Sequence, residues 1–269
     1  MQTPEGARSF LTSGNAYDGF MGRYSRPLAD VFADAVGVSR GQTALDVGCG
    51  PGALTGVLVD RVGTPQAVSA FDPSAPFVAE CIARHPGVDV RLGQAEAIPF
   101  DDASFDVALA QLVLHFVSDP EQAARELCRV VRPGGVVAAC MWDFAEGMEM
   151  LRHFWDAALS VDPDAPDEAR TLRFGRQGEI VALFEGAGLE HIVETTLHVS
   201  STYESFDEFW SGFLAGIGPA GVFCVSLSEV TRTALHDELF RRVGSPGGPF
   251  TLGAMARCAR GRTPGPTLT

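Results

Sequence analysis

The run Leu45-Asp46-Val47-Gly48-Cys49-Gly50-Pro51-Gly52 sets a carboxylate and three alternate glycines where an apolar stretch gives way to a helical one. Bare backbone at such a junction approaches a ligand more closely than a Cβ would allow. In open α/β sheets, ligands bind at the carboxyl ends of the strands. Gly48, Gly50 and Ala53 also satisfy the loose G-x-G-x-x-G/A dinucleotide pattern. Asp46 separates the possible ligands. At a buried strand end a carboxylate is costly unless something cationic or hydrogen-bonding compensates it; an ammonium or sulfonium does so, whereas pyrophosphate is repelled. Asp72, 20 residues after Gly52, ends the next apolar run and is suited to accept both hydroxyls of a ribose. That feature serves several nucleotide-like ligands equally.

His115, four residues beyond Gln111, is the candidate proton acceptor, because imidazole titrates near neutrality. Packing on the following helix is its competing role. The other histidines share no ligand spacing with carboxylates, so no metal site is expected. The six cysteines lack zinc-ligand spacing and read as small buried hydrophobes in a reducing cytosol. All 20 basic residues are arginine. Without lysine there is no Schiff-base cofactor, no P-loop lysine and no Tyr-x-x-x-Lys dehydrogenase pair. Against 34 acidic residues the net charge is −14, which disfavours nucleic acid and anionic membranes. No stretch approaches the length of a membrane span, so a cytoplasmic protein is expected.

The elements that must position these residues follow from the period of the apolar pattern. A helix with Ser25 as N-cap and Pro27 in its first turn closes at Gly37. Short apolar runs at 42–47, 67–71, 88–92 and 105–109 read as strands, separated by helical segments after Gly52 and over 77–84. Asp119, Pro120 and Gln122 start a helix, which Arg132-Pro133-Gly134-Gly135 is expected to break before a fifth strand at 136–141. Beyond it come a helical excursion over 142–176 with the acidic VDPDAPDEAR, a helix at 178–185, a strand at 189–199, helices near 204–215 and 226–243, and a last strand at 250–258. Strand–helix alternation with continuous apolar strands means a parallel sheet covered on both faces.

ALDVGCGPG, AFDPS, GQAEAIPFDDASFD, LVLHFV and RPGG, in this order over roughly residues 40–140, resemble the successive motifs of class I S-adenosylmethionine-dependent methyltransferases. Within these, the chain is similar to the small-molecule enzymes of the ubiquinone/menaquinone-biosynthesis type. The resemblance implies an α/β fold with a doubly wound, mostly parallel seven-stranded sheet, Rossmann-like, with an antiparallel last strand and a helical cap. One continuous domain is expected, with residues 1–141 forming the cofactor core and 142–269 the cap and closing strands. S-adenosylmethionine is the implied cofactor and S-adenosylhomocysteine its product. Gly48, Cys49 and Gly50 would pass its methionine and ribose moieties, with Asp46 towards the amino-acid end. Asp72 would hold the ribose and Pro73 lie against the adenine, which Ala95 and Glu96 would border. Gln111 follows the fourth strand, where the family's backbone carbonyl meets the methionine ammonium. Tyr17 and Arg23 would close over the cofactor carboxylate. The family's usual Asp is Gln94 here.

No Asn/Asp-Pro-Pro-aromatic tetrad or Pro-Cys pair follows the fourth strand, which favours a small organic acceptor over a nucleic acid. Phe206, Phe209, Trp210 and Phe213 share one helical stripe, read as core or as the wall of an apolar pocket. A nicotinamide-dependent oxidoreductase and a non-catalytic S-adenosylmethionine-binding protein are the alternative functions. A monomer or homodimer is expected.

Overall fold

The computed structural model describes residues 18–265. Strands β1 (Ala44–Val47), β2 (Val68–Asp72), β3 (Asp89–Leu92), β4 (Phe105–Gln111), β5 (Val131–Trp142), β6 (Glu190–Tyr203) and β7 (Phe250–Arg262) form one sheet in the order β3-β2-β1-β4-β5-β7-β6. β1 to β5 pair in parallel, and β7 lies antiparallel between β5 and β6. Order reverses between β1 and β4, so the crevice of a doubly wound sheet opens above their carboxyl ends.

Ten helices are seen among the described residues: α1 (Arg23–Val36), α2 (Ala53–Val62), α3 (Ala75–Arg84), α4 (Pro120–Val130), α5 (Glu149–Val161), α6 (Glu168–Thr171), α7 (Glu179–Gly186), α8 (Phe206–Leu214), α9 (Gly218–Ser226) and α10 (Glu229–Arg242). The central strands are apolar on both faces because each face has its own cover. Val107, Leu109, Ala138, Cys140 and Trp142 join a core with α1, α2, α5 and α8. Their neighbours Ala108, Ala110, Val137, Ala139 and Met141 join another with α4 and α7. That alternation is the period of two expected of strands. No single helix among the described residues is long and apolar enough to cross a membrane.

Three local expectations are corrected. Ser25 does not cap α1; the helix begins at Arg23 and buries Ser25, while Gly37 closes it in the left-handed conformation as expected. Arg132-Pro133-Gly134-Gly135 does not separate helix from strand. β5 already starts at Val131, and the glycines are absorbed as an irregularity in its register with β4. Asp106 steadies that stretch, accepting from Thr43 N at 2.7 Å and pairing with Arg132. The span between the two helices expected at 204–243 holds a third, α9, whose Gly-Pro start and apolar composition hide helical periodicity. Phe206, Phe209 and Phe213 are buried core residues, so the core reading of that stripe holds for them.

Candidate functional site

The glycine loop leaves β1 with φ +68° at Gly48 and +96° at Gly52, conformations that disfavour any side chain. Space forbids one as well. A Cβ on Gly48 would lie 2.6 Å from Val113 Cγ2, and one on Gly52 would lie 2.6 Å from the His85 ring. His85, at the end of α3, donates from Nε2 to the Gly52 carbonyl at 2.8 Å and so clamps the loop. Sequence reasoning passed over this histidine. Its signal was the bare pair Gly52 and Gly56 at i, i+4, a helix face left open for a ring. A Cβ on Gly50 would meet nothing within 4 Å, so the loop's centre faces open space.

Asp72 ends β2 beside that space. Gly50 N donates to its Oδ2 at 2.9 Å and Ser74 N to its Oδ1 at 2.8 Å, so both carboxylate oxygens are fixed in place. Each keeps acceptor capacity for a hydroxyl. Burial pushes its pKa up, opposed by the two backbone donors. Pro73 next to it is exposed, and Ala95 is buried.

Asp46 is buried and accepts from Thr55 Oγ1 at 2.6 Å. Its compensating partner in the fold is therefore a hydroxyl of α2. Desolvation raises its pKa to about 7, the Thr55 bond opposes this and the nearby Asp72 adds to it.

Two other expected site residues, Glu96 and Arg23, have partners within the fold. Glu96 lies in a turn; its Oε1 accepts from Ser118 N at 2.9 Å and Asp119 N at 3.3 Å, holding the approach to α4. Arg23 pairs with Glu208 at 2.7 Å, donates to the Thr202 carbonyl and stacks 3.9 Å over the Tyr203 ring, fastening α1 to the far half of the chain. Tyr24 adds a buried 3.1 Å hydroxyl contact with Tyr203. Tyr17 lies outside the described residues.

Gln111 joins the two halves of the site. Its Nε2 donates to the Ser25 carbonyl at 2.8 Å, which holds the start of α1 over the sheet edge, while its buried Oε1 has no donor. Leu112 follows with φ +61°, a strained conformation for a branched residue and of the kind found at ligand sites.

Beyond it a cavity of about 40 Å³ is walled by Phe20, Met21, Leu112, Phe116, Trp142 and Phe144, with Leu151, Gly218, Pro219 and Ala220 closing the cap side. His115 and Glu168 are the two titratable residues among its described lining. Burial lowers the His115 pKa to about 3, so the ring is neutral at physiological pH and a weak proton acceptor. Its Nδ1 and the Nε1 of Trp142 are buried without a partner. Glu168 is 5% exposed; its Oε2 accepts from Trp155 Nε1 at 2.8 Å. Desolvation lifts its pKa to about 7, against the Trp155 bond and with help from Asp167. It was hidden in VDPDAPDEAR, a run that reads as a solvated acidic loop, and Trp155 on α5 was the only hint of a buried partner. No cluster of metal-ligating side chains occurs among the described residues.

Residues 45–139 match the family model described as "Methyltransferase domain". The chain is 33% identical over 132 residues to a malonyl-[acyl-carrier protein] O-methyltransferase of Pseudescherichia vulneris, covering 49% of this chain and 51% of the relative. It spans about half the length, or less, of the curated relatives it first matches. A Bacillus halodurans protein solved as a candidate methyltransferase superposes with a TM-score of 0.58 at 17% identity, over 88% of this chain and 98% of that one. So does Haemonchus contortus phosphoethanolamine N-methyltransferase 2, solved with phosphomonomethylethanolamine and S-adenosylhomocysteine, at 0.56 and 17% over 93% and 56%. Residues 45–139, which build the glycine loop and its acidic partners, are thus similar to a methyltransferase domain, on a fold shared with solved methyltransferases.

Proposed function

We propose that the chain transfers the methyl group of S-adenosylmethionine to a small, largely apolar organic acceptor. The single observation that carries this reading is the adjacency of two unlike sites. A polar cradle at the ends of β1 and β2 suits a nucleoside with an amino-acid tail. An apolar cavity begins one residue beyond Gln111. The cradle fits the cofactor on its own terms: Asp72 keeps acceptor capacity for a ribose diol, Gln111 Oε1 lacks a donor that an ammonium would supply, and the space over Gly50 admits the connecting atoms. Gly48 and Cys49 continue that backbone path, and Pro73 and Ala95 stand where an adenine would be bordered. Asp46 acts through Thr55 by holding α2 against the loop.

Displacement at a sulfonium methyl needs alignment more than acid–base help, because the thioether is an excellent leaving group. The cavity walls supply that alignment by confining an apolar body. His115, neutral and with Nδ1 unpaired, would orient the acceptor by a hydrogen bond. Malonyl-[acyl-carrier protein] is the acceptor named for three of the relatives. A malonyl thioester ends in a carboxylate, and no arginine stands among the described residues of the cavity wall to hold one. A cytoplasmic setting suits the six cysteines, all free. The oligomeric state is taken as monomer or homodimer.

The test is transfer of tritium from S-adenosyl-[methyl-³H]methionine to a panel of apolar alcohols, phenols and amines. Labelled product from at least one class supports the reading. Cofactor binding with no transfer to any of them favours a non-catalytic binder.

A further inference from the structure

Buried polar atoms in folded proteins are nearly always partnered, and each exception calls for an explanation. Two of the exceptions here meet around one cavity. Trp142 Nε1 and His115 Nδ1 have no partner, and Glu168, a buried carboxyl in the same wall, is met by the single donor Trp155 Nε1. The other described wall residues are aromatic or aliphatic. We infer that Glu168 selects the acceptor: the cavity takes an apolar molecule whose head donates a hydrogen bond, a hydroxyl or an amine, and rejects one that ends in a carboxylate.

The inference rests on the methyl-transfer reading and adds to it the chemistry of the acceptor's head. A carboxylate head would meet the like charge of Glu168 in a medium of low dielectric, with no cationic side chain among the described wall residues to offset it. An alcohol or amine brings a further donor to Oε1, and an amine also neutralises the buried charge. Burial keeps Glu168 protonated in part near neutrality, so it serves a neutral hydroxyl as well as a cation. Arg152 does not compete for this role, since it pairs with Asp167 at 3.0 Å and with Asp156 at 2.7 Å. Trp155 holds the other carboxyl oxygen, Oε2.

The alternative is that Glu168 only anchors Trp155. The substitution Glu168→Gln separates the two roles, because the amide oxygen still accepts from Trp155 while the charge is gone. Benzylamine, benzyl alcohol and benzoate share one body and differ in the head. Each is titrated into ¹⁵N-labelled protein, and the indole signals of Trp142 and Trp155 are followed by NMR, with S-adenosylhomocysteine titrated by calorimetry in the same samples. The expected result is that the amine and the alcohol shift both indole signals and bind at least tenfold more tightly than benzoate. In Glu168→Gln the amine should weaken at least tenfold and the gap to benzoate should close. Benzoate binding as tightly as the amine, an unchanged order in Glu168→Gln, or no shift with any probe overturns the assignment. Failure of S-adenosylhomocysteine to bind overturns methyl transfer instead. Lost probe order in a protein that binds it overturns the role of Glu168 alone.

Discussion

The cradle at the ends of β1 and β2 and the cavity beyond β4 are built on opposite principles. In the cradle the acidic groups have protein partners, two backbone donors for Asp72 and Thr55 for Asp46, and His85 clamps the Gly52 carbonyl; Gln111 Oε1 is the cradle atom left without a donor. Around the cavity, Trp142 and His115 keep buried polar atoms without partners, and Glu168 has one donor for its whole carboxyl group. The first arrangement holds a geometry before any ligand arrives, which saves ordering cost on binding. The second keeps destabilising groups in an apolar wall, a pattern that stable folds tolerate mainly where function needs it. One region is shaped for a ligand of fixed form, the other for selection among acceptors.

This contrast predicts what breaks each region. Gly52→Ala strikes the cradle hardest, since it forces a Cβ into the His85 ring at a left-handed φ. A loss of roughly 4 kcal/mol in unfolding free energy is expected from strain and overlap together, with cofactor binding abolished. Chemical denaturation alongside calorimetry checks both effects.

Glu168→Gln should act in the opposite sense. A carboxyl whose folded pKa is raised stabilises the fold fully below its unfolded value of 4.5, and that contribution is lost as pH rises towards about 7. Removing the titration should therefore raise stability at pH 8 by up to roughly 3 kcal/mol and flatten the fall between pH 4 and 7. Asp46, raised from 3.8 to about 7, gives a slope of the same sign. Melting curves across that range test the difference, and a lower melting temperature for Glu168→Gln at pH 8 would contradict it.

Asp72→Ala removes an acceptor without crowding anything. It should weaken S-adenosylhomocysteine by about a hundredfold, or roughly 2.7 kcal/mol, with the fold retained. The smallest effect belongs to Arg23→Ala. Its partly exposed pair with Glu208 contributes about 0.5 kcal/mol to holding α1 on β6 and α8, and cofactor affinity should stay within twofold. A tenfold loss would restore Arg23 to the cofactor site.

What was legible in the sequence was local. The glycine loop, Asp72 and Gln111 sit at strand ends whose apolar runs announce themselves, and the order of motifs carried the sheet. Contacts between distant segments were not legible. Arg23 meets a glutamate 185 residues away, and His85 meets a loop 33 residues back. Glu168 was concealed because acidity and proline normally mark solvated chain. Only the fold of α5 and α6 about Trp155 makes that carboxyl a wall residue. Helix α9 was missed because an element apolar on all sides shows no periodic face.

The most direct test of the central claim is calorimetric titration of the purified protein with S-adenosylmethionine, S-adenosylhomocysteine and NAD. The account predicts that the first two bind and the third does not, with Asp72→Ala weakening both. Binding of NAD alone would contradict it and would assign the cradle to a nicotinamide-dependent oxidoreductase.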